Sequence, residues 1–185
     1  GVNVIGSVIR SLRKQHNMTL AELAQLVDVS PGGLSQIERG KIDPSLSVIR
    51  KISKAFNVPV QSLFMEENHS FITRRAERKK AVFADCGISY EFLTPRVQIN
   101  SITPRMEIVW VSLEPKSWGS NEITVHEADE CLIVLSGSIE VHMDDQTILL
   151  NAGDSVYMKE NTPHRLYNPT GEEVSAISAM TPAVY

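Results

Sequence analysis

Through the first 64 residues apolar side chains recur at spacings of three and four, the period of a helix with one buried face. Val4, Ile5, Val8, Ile9 and Leu12 make one stripe, closed by His16 and Asn17. Thr19 stands where an N-cap belongs, ahead of Leu20, Leu23, Ala24 and Val27. Ser30 caps a third helix with Pro31 at its first position, where a missing N–H costs nothing, and Gly40 ends it. Ser45 opens a fourth helix that carries Leu46, Ile49, Ile52 and Phe56, and VPVQSLF reads as a short fifth. Five short helices with brief turns predict a compact all-α domain over residues 1–65.

Beyond residue 80 the period shortens to two, and Gly, Pro and Asn interrupt the runs. MEIVWVSL, NEITVH, ECLIVL, SIEVHM, QTILL, DSVYM, HRLYN and EVSAISA predict about eight strands of an all-β barrel or sandwich over 81–185. Residues 66–80 connect the two patterns. They are polar and basic, readable as a linker, with SFIT as an alternative short strand.

Composition adds exclusions. With 42% hydrophobic and 22% charged residues and no apolar run near the roughly 20 a bilayer requires, no transmembrane span is expected. GVNVIGSVIRSLRKQ lacks the succession of a signal peptide, so a cytoplasmic location and no membrane partner are expected. Cys86 and Cys131 have neither metal-knuckle nor redox spacing and are expected to be buried thiols. Charge is uneven: residues 1–80 sum to +6 and residues 81–185 to −10. A basic front suits a polyanionic partner, and the acidic back needs a different role.

The stretch MTLAELAQLVDVSPGGLSQIERGKIDPSLSVIRKISKAFNVPVQSLF resembles the helix-turn-helix of the bacterial repressor family that includes the phage repressors and the XRE-like regulators. The resemblance implies a lambda-repressor-like domain of five helices that dimerises on a two-fold-related operator, with helix three in the major groove. Helical geometry agrees independently: Ser30, Gly33, Gln36 and Arg39 would project from one side while Leu34 and Ile37 pack inward. Gln36 can make paired hydrogen bonds to adenine, and Ser35 can reach a base or phosphate. Arg10, Arg13, Lys14, Arg39 and Lys41 are candidate phosphate contacts, and the helix starts at Thr19 and Ser30 offer backbone N–H donors. The leading turn of helix three, Pro31, Gly32 and Gly33, departs from the long polar side chains that family members often place there, which points to closer backbone approach or more indirect readout.

In the second pattern, His126, Glu130 and Gly137, then GDSVYMKENTPHRLYN with His164, resemble the two motif regions of the cupin barrels, a double-stranded β-helix or jelly-roll fold. In that family two histidines at alternate positions, a glutamate and a third histidine bind a divalent metal such as iron, manganese or zinc. Thr124 stands where the first histidine belongs. Strand alternation would turn Thr124, His126, Glu130 and Leu132 inward, giving with His164 a candidate effector pocket. His126, Glu130 and His164 keep the composition of a two-histidine, one-carboxylate triad, and the same residues also suit a metal-free polar pocket. His142 is expected to face solvent, His16 and His69 have no partners that suggest a site, Trp110 and Trp118 read as core or rim, and Arg96, Arg105 and Arg165 as surface ion pairs.

The two modules together resemble the regulators grouped around the putrescine-utilisation repressor, also in ISAMTPAVY and YEFLTP. That implies a homodimeric, operator-binding transcription regulator, with repression the expected sign and a cupin that binds a small-molecule effector. Cys131, Ile133 and Leu135 are a candidate dimer face. The alternative is an iron-dependent oxygenase of the kind represented by the hydroxypropylphosphonate epoxidases, which share the two modules.

Overall fold

Three hydroxyl caps set the helical registers. Thr19 Oγ1 accepts from the Glu22 N–H and the Glu22 carboxylate accepts from the Thr19 N–H, at 3.2 and 2.7 Å, a reciprocal capping box. Ser30 and Ser45 accept from the N–H groups of Gly33 and Val48. The computed structural model describes residues 4–64, 71–95 and 104–183. It divides into two compact units, residues 1–65 and 66–184. The first holds α1 (Val4–Gln15), α2 (Leu20–Leu26), α3 (Pro31–Glu38) and α4 (Leu46–Phe56). Ile9, Leu23, Leu34, Ile49, Ile52 and Leu63 are completely buried among them. Gly6 is needed where α1 meets the end of α3, because a Cβ there would lie 2.3 Å from the Ile37 carbonyl oxygen.

The expected fifth α-helix is corrected to a single 3-10 turn, Val60–Leu63. Pro59 precedes it with no side-chain cap, and four residues make one turn, too short to repay helix nucleation.

The second unit is built from β1 (Lys80–Phe83), β2 (Ile88–Phe92), β3 (Glu107–Leu113), β4 (Asp129–Ser136), β5 (Ser138–Met143), β6 (Gln146–Asn151), β7 (Ser155–Met158), β8 (His164–Tyr167) and β9 (Val174–Thr181). All pairings are antiparallel, in one sheet of order β1-β2-β3-β9-β4-β7 and another of order β6-β5-β8. Inward positions alternate with outward ones, so Val111, Leu113, Leu132, Val134, Ile139, Val141 and Ala176 form the core. The hairpin β1–β2 was not expected from the pattern. NEITVH is corrected in the other direction: it forms no strand, only an isolated bridge between Thr124 and His164. Phe71–Thr73 of SFIT also lie outside any strand. No helix among the described residues is long and apolar enough to cross a membrane.

Candidate functional sites

The exposed surface of α3 follows its apolar pattern. Leu34 and Ile37 are buried, Gln36, Arg39 and Gly32 are exposed, and Ser35 and Gly33 are half-buried. Arg10, Lys14 and Lys41 are exposed as well. The hydroxyls of Thr19 and Ser30 are engaged in their caps, so only the helix starts themselves remain for a ligand.

Arg13 is placed differently from the expected phosphate contact. Its Nε and Nη2 donate to the two oxygens of Glu38 at 2.6 and 2.9 Å, and Nη1 donates to the Met18 carbonyl at 3.0 Å. The Glu38 hydrogen bonds and charge hold the guanidinium pKa above its usual value, against the opposing effect of burial. The fork ties α1 to α3, with side-chain exposures of only 13% and 5%. Glu38 was not singled out from sequence; a carboxylate one position after the buried Ile37 was the available signal.

In the second unit the structure brings His126, Glu130 and His164 together. Glu130 is the second residue of β4 and His164 opens β8, while His126, whose carbonyl accepts from Asn161 N at 2.8 Å, lies in the irregular segment before β4. His126 Nε2 lies 2.8 Å from Glu130 Oε2 and His164 Nε2 lies 3.5 Å from the same oxygen. The two imidazole rings stand edge to face at 4.9 Å. Ser178 on β9 donates to Glu130 Oε1 at 2.6 Å. Burial by itself would push the Glu130 carboxyl up, but the His126 hydrogen bond, the two imidazole charges and the Ser178 hydroxyl outweigh it and hold the pKa below the ordinary carboxylate range.

This group fits a divalent metal. One donor atom from each residue lies within 4.8 Å of the others, and a metal about 2.0–2.2 Å from each donor needs them roughly 3–4 Å apart. His164 Nδ1 donates to the Thr162 carbonyl at 2.9 Å, which leaves Nε2 with its lone pair when the ring is neutral. A lone pair facing a carboxylate oxygen calls for a cation between them, either a proton or a metal. Thr124 is buried next to this group, bridged to His164 by two backbone hydrogen bonds of 2.8 and 3.0 Å, and its hydroxyl reaches Ser120 Oγ at 3.5 Å. Leu132, the next inward position on β4, is completely buried and belongs to the core. Ser178 and Thr162 were missed from sequence; a serine in the inward series Val174, Ala176, Ser178 of β9 was the readable signal.

The remaining candidates do not converge on a site. His142 bonds Glu140 and Thr147 on the outward face. Arg165 donates through Nε and Nη2 to the Ser120 carbonyl and lies 4.2 Å over the Trp118 ring, so it forms no ion pair among the described residues. Trp110 faces outward on β3 and is half-buried, His16 bonds the Leu12 carbonyl, and Arg105 is exposed. His69 and Arg96 lie outside the described residues. Cys86 is a buried thiol, but Cys131 is only half-buried because it faces outward on β4.

Comparison with known proteins matches residues 9–63 to a helix-turn-helix family and residues 109–180 to the cupin domain family. Two regulators from Escherichia coli strain K12 are similar nearly end to end. SutR, an HTH-type transcriptional regulator, is 23% identical over 91% of this chain and 89% of its own length, and PuuR, likewise, is 21% identical over 97% and 96%. Among solved structures, an HTH_3 family transcriptional regulator from Vibrio cholerae superposes with a TM-score of 0.73 at 23% identity, covering 97% of this chain and 96% of its own. Fe(II) HppE superposes with a TM-score of 0.50 at 20% identity over 97% and 100%. At these identities the two structures establish the fold.

Proposed function

We propose that this chain, a helix-turn-helix domain followed by a cupin domain, is a sequence-specific DNA-binding transcription regulator, a repressor whose cupin binds a small-molecule effector. The observation that carries the reading is the helix-turn-helix match at 9–63 with Gln36 and Arg39 exposed on α3 and Arg10, Lys14 and Lys41 exposed around it. End-to-end similarity to two transcriptional regulators supports it. Gln36 and Ser35 would read bases, and the cations would position the domain on phosphates. A cytoplasmic location goes with this role.

His126, Glu130 and His164 would hold one zinc, iron or manganese ion in the cupin, which when bound supplies a Lewis-acidic attachment point for an oxygen-bearing effector. Ser178 and the Thr162 carbonyl orient the donors, and the backbone of Thr124 bridges that of His164. An effector acts on DNA binding only by favouring one arrangement of the domains over another. Two half-sites call for two chains. Outward-facing Cys131, Ile133, Ile177, Ala179, Ile108 and Trp110 form a neutral apolar face across β4, β9 and β3, suited to isologous packing of two cupins. Sedimentation of the full chain at micromolar concentration should give a dimer.

The decisive test is fluorescence anisotropy with the duplex upstream of the chain's own gene against a shuffled duplex. Preference for the first, weakened by salt, is expected; equal affinity for both, or none, would end the regulator reading. The two-histidine, one-carboxylate composition of the triad favours one second reading, an iron-dependent oxygenase. It predicts oxygen consumption by the iron-loaded chain with a substrate and no preference between the duplexes.

A further inference from the structure

Of the +6 carried by residues 1–80, the ten residues 71–80 contribute +4. Arg74, Arg75, Arg78, Lys79 and Lys80 stand there against Glu77 alone. The helical unit meanwhile engages part of its own basic charge internally, Arg13 with Glu38 and Lys51 with Asp28. Its recognition helix starts with Pro31, Gly32 and Gly33, so few long side chains reach a groove from it. Affinity must then come largely from phosphates, for which the helical unit exposes Arg10, Lys14, Arg39 and Lys41, and further cations nearby would add to it.

The cluster is built into the fold. Residues Arg75–Glu77 form a 3-10 turn in which Glu77 N–H donates to the Arg74 carbonyl at 2.9 Å. The Lys79 carbonyl accepts from Phe92 N–H at 3.1 Å, and Lys80 opens β1 opposite Glu91. Half-buried Arg78 faces Glu91 at 3.8 Å and anchors the turn. Arg74, Arg75, Lys79 and Lys80 remain exposed, with no carboxylate of the described residues at ion-pair distance. Lysine on an edge strand such as β1 commonly guards against edge-to-edge pairing, which accounts for Lys80 but not for the two arginines ahead of the strand. Arg74 stands ten positions after Phe64, so at about 3.5 Å per position the connection spans at most roughly 35 Å.

We infer that Arg74, Arg75, Lys79 and Lys80 form a second phosphate-contacting surface that grips duplex DNA beside the helix-turn-helix and supplies affinity without reading sequence. The inference rests on the DNA-binding reading above. It also gives the cluster a use in its own unit: its positive charge offsets, for a polyanion, part of the −10 carried by residues 81–185.

The test compares the full-length wild type with R74Q/R75Q/K79Q/K80Q and with the charge-retaining R74K/R75K/K79R/K80R, on the upstream and shuffled duplexes, between 50 and 200 mM KCl. Even one lost phosphate contact per chain in a dimer should make the glutamine variant's affinity fall about 10-fold less across that range than the wild type's. Its preference for the upstream duplex should persist, and the charge-retaining variant should match the wild type. Equal salt dependence in wild type and glutamine variant overturns the inference, as does a lost preference with an unchanged slope. If the glutamine variant instead melts lower and keeps its salt slope, the cluster serves only the acidic unit and the inference fails. A wild type that binds neither duplex at 50 mM fails the DNA-binding reading itself.

Discussion

Replacing Arg13 by Met would leave the Glu38 carboxylate, 5% exposed, without its bidentate partner in the contact between α1 and α3. Breaking a buried ion pair costs about 3–5 kcal/mol, whereas losing an exposed one costs about 0–1. The guanidinium is 13% exposed, so water can reach one side and the lower end applies, about 3 kcal/mol. At about 0.05–0.15 kcal/mol per residue, a unit of some 60 residues has roughly 3–9 kcal/mol in all, so the substitution should leave it marginal. Urea unfolding of the full chain followed by far-UV circular dichroism should show the helical transition moving to much lower denaturant in R13M. R13M/E38L should recover most of the loss, because a hydrophobic pair of similar volume leaves no unpaired charge. Where R13M is still folded, its DNA affinity should have the wild-type salt slope, since Arg13 is engaged within the domain and not with phosphate. A loss below about 1 kcal/mol would put the pair in the exposed class. A double variant no better than R13M would refute the argument that an uncompensated carboxylate is the cause.

Four further outcomes are expected. Protein purified without chelator should carry close to one divalent ion per chain by elemental analysis, none in His164→Ala, and progressively less as acid competes for the imidazole nitrogens. Ser30→Ala removes the cap of α3 and should cost about 1 kcal/mol in the helical transition, with the second unit unaffected. The hydrogen bonds from the Thr19 backbone and hydroxyl hold Glu22 below its ordinary value of 4.5, so this cap stabilises the fold above that pH and the contribution is lost as pH falls through the lowered value. Melting of wild type and Glu22→Gln should therefore converge in acid and diverge toward neutrality. Ile133→Asp together with Ile177→Asp, opposed on neighbouring strands, should yield monomers in sedimentation without unfolding the core, because both side chains face outward.

The helices were legible because their signals are local. Thr19, Ser30 and Ser45 each bond an N–H three residues on, and a stripe such as Leu46, Ile49, Ile52 and Phe56 declares its buried face within one window. The 3-10 turn at Val60–Leu63 shows the limit of that method, since apolar spacing over four residues cannot distinguish the two helix types. β1 and β2 went unnoticed because their strand character rests on pairing with each other and with β3 rather than on the local pattern of KAVF and ISYEF.

The same distinction between local and distant determinants governs the metal group. Composition and the motif spacing brought out His126, Glu130 and His164, but the expectation that Thr124 and His126 share a strand face used the period of two where no strand exists. What holds Thr124 is a pair of backbone bonds to His164, forty residues away in sequence, and what holds Glu130 is Ser178, forty-eight residues away. Neither link leaves a trace in the nearby pattern. Arg13 was misplaced for the same reason: an arginine near the end of an amphipathic helix reads as a solvent-facing cation until Glu38, twenty-five residues on, is brought against it. The side chains that orient a site are thus less legible than those that compose it, because composition is written in residue type and orientation in the tertiary fold. A substitution at Ser178 therefore separates the two contributions: Ser178→Ala keeps all three metal donors, so it should weaken metal retention roughly 10–100-fold, the usual cost of losing a partner behind a ligand, without abolishing it. Complete loss of metal, as in His164→Ala, would mean that Ser178 is itself a ligand; undiminished retention would mean that its hydrogen bond to Glu130 does not orient the carboxylate.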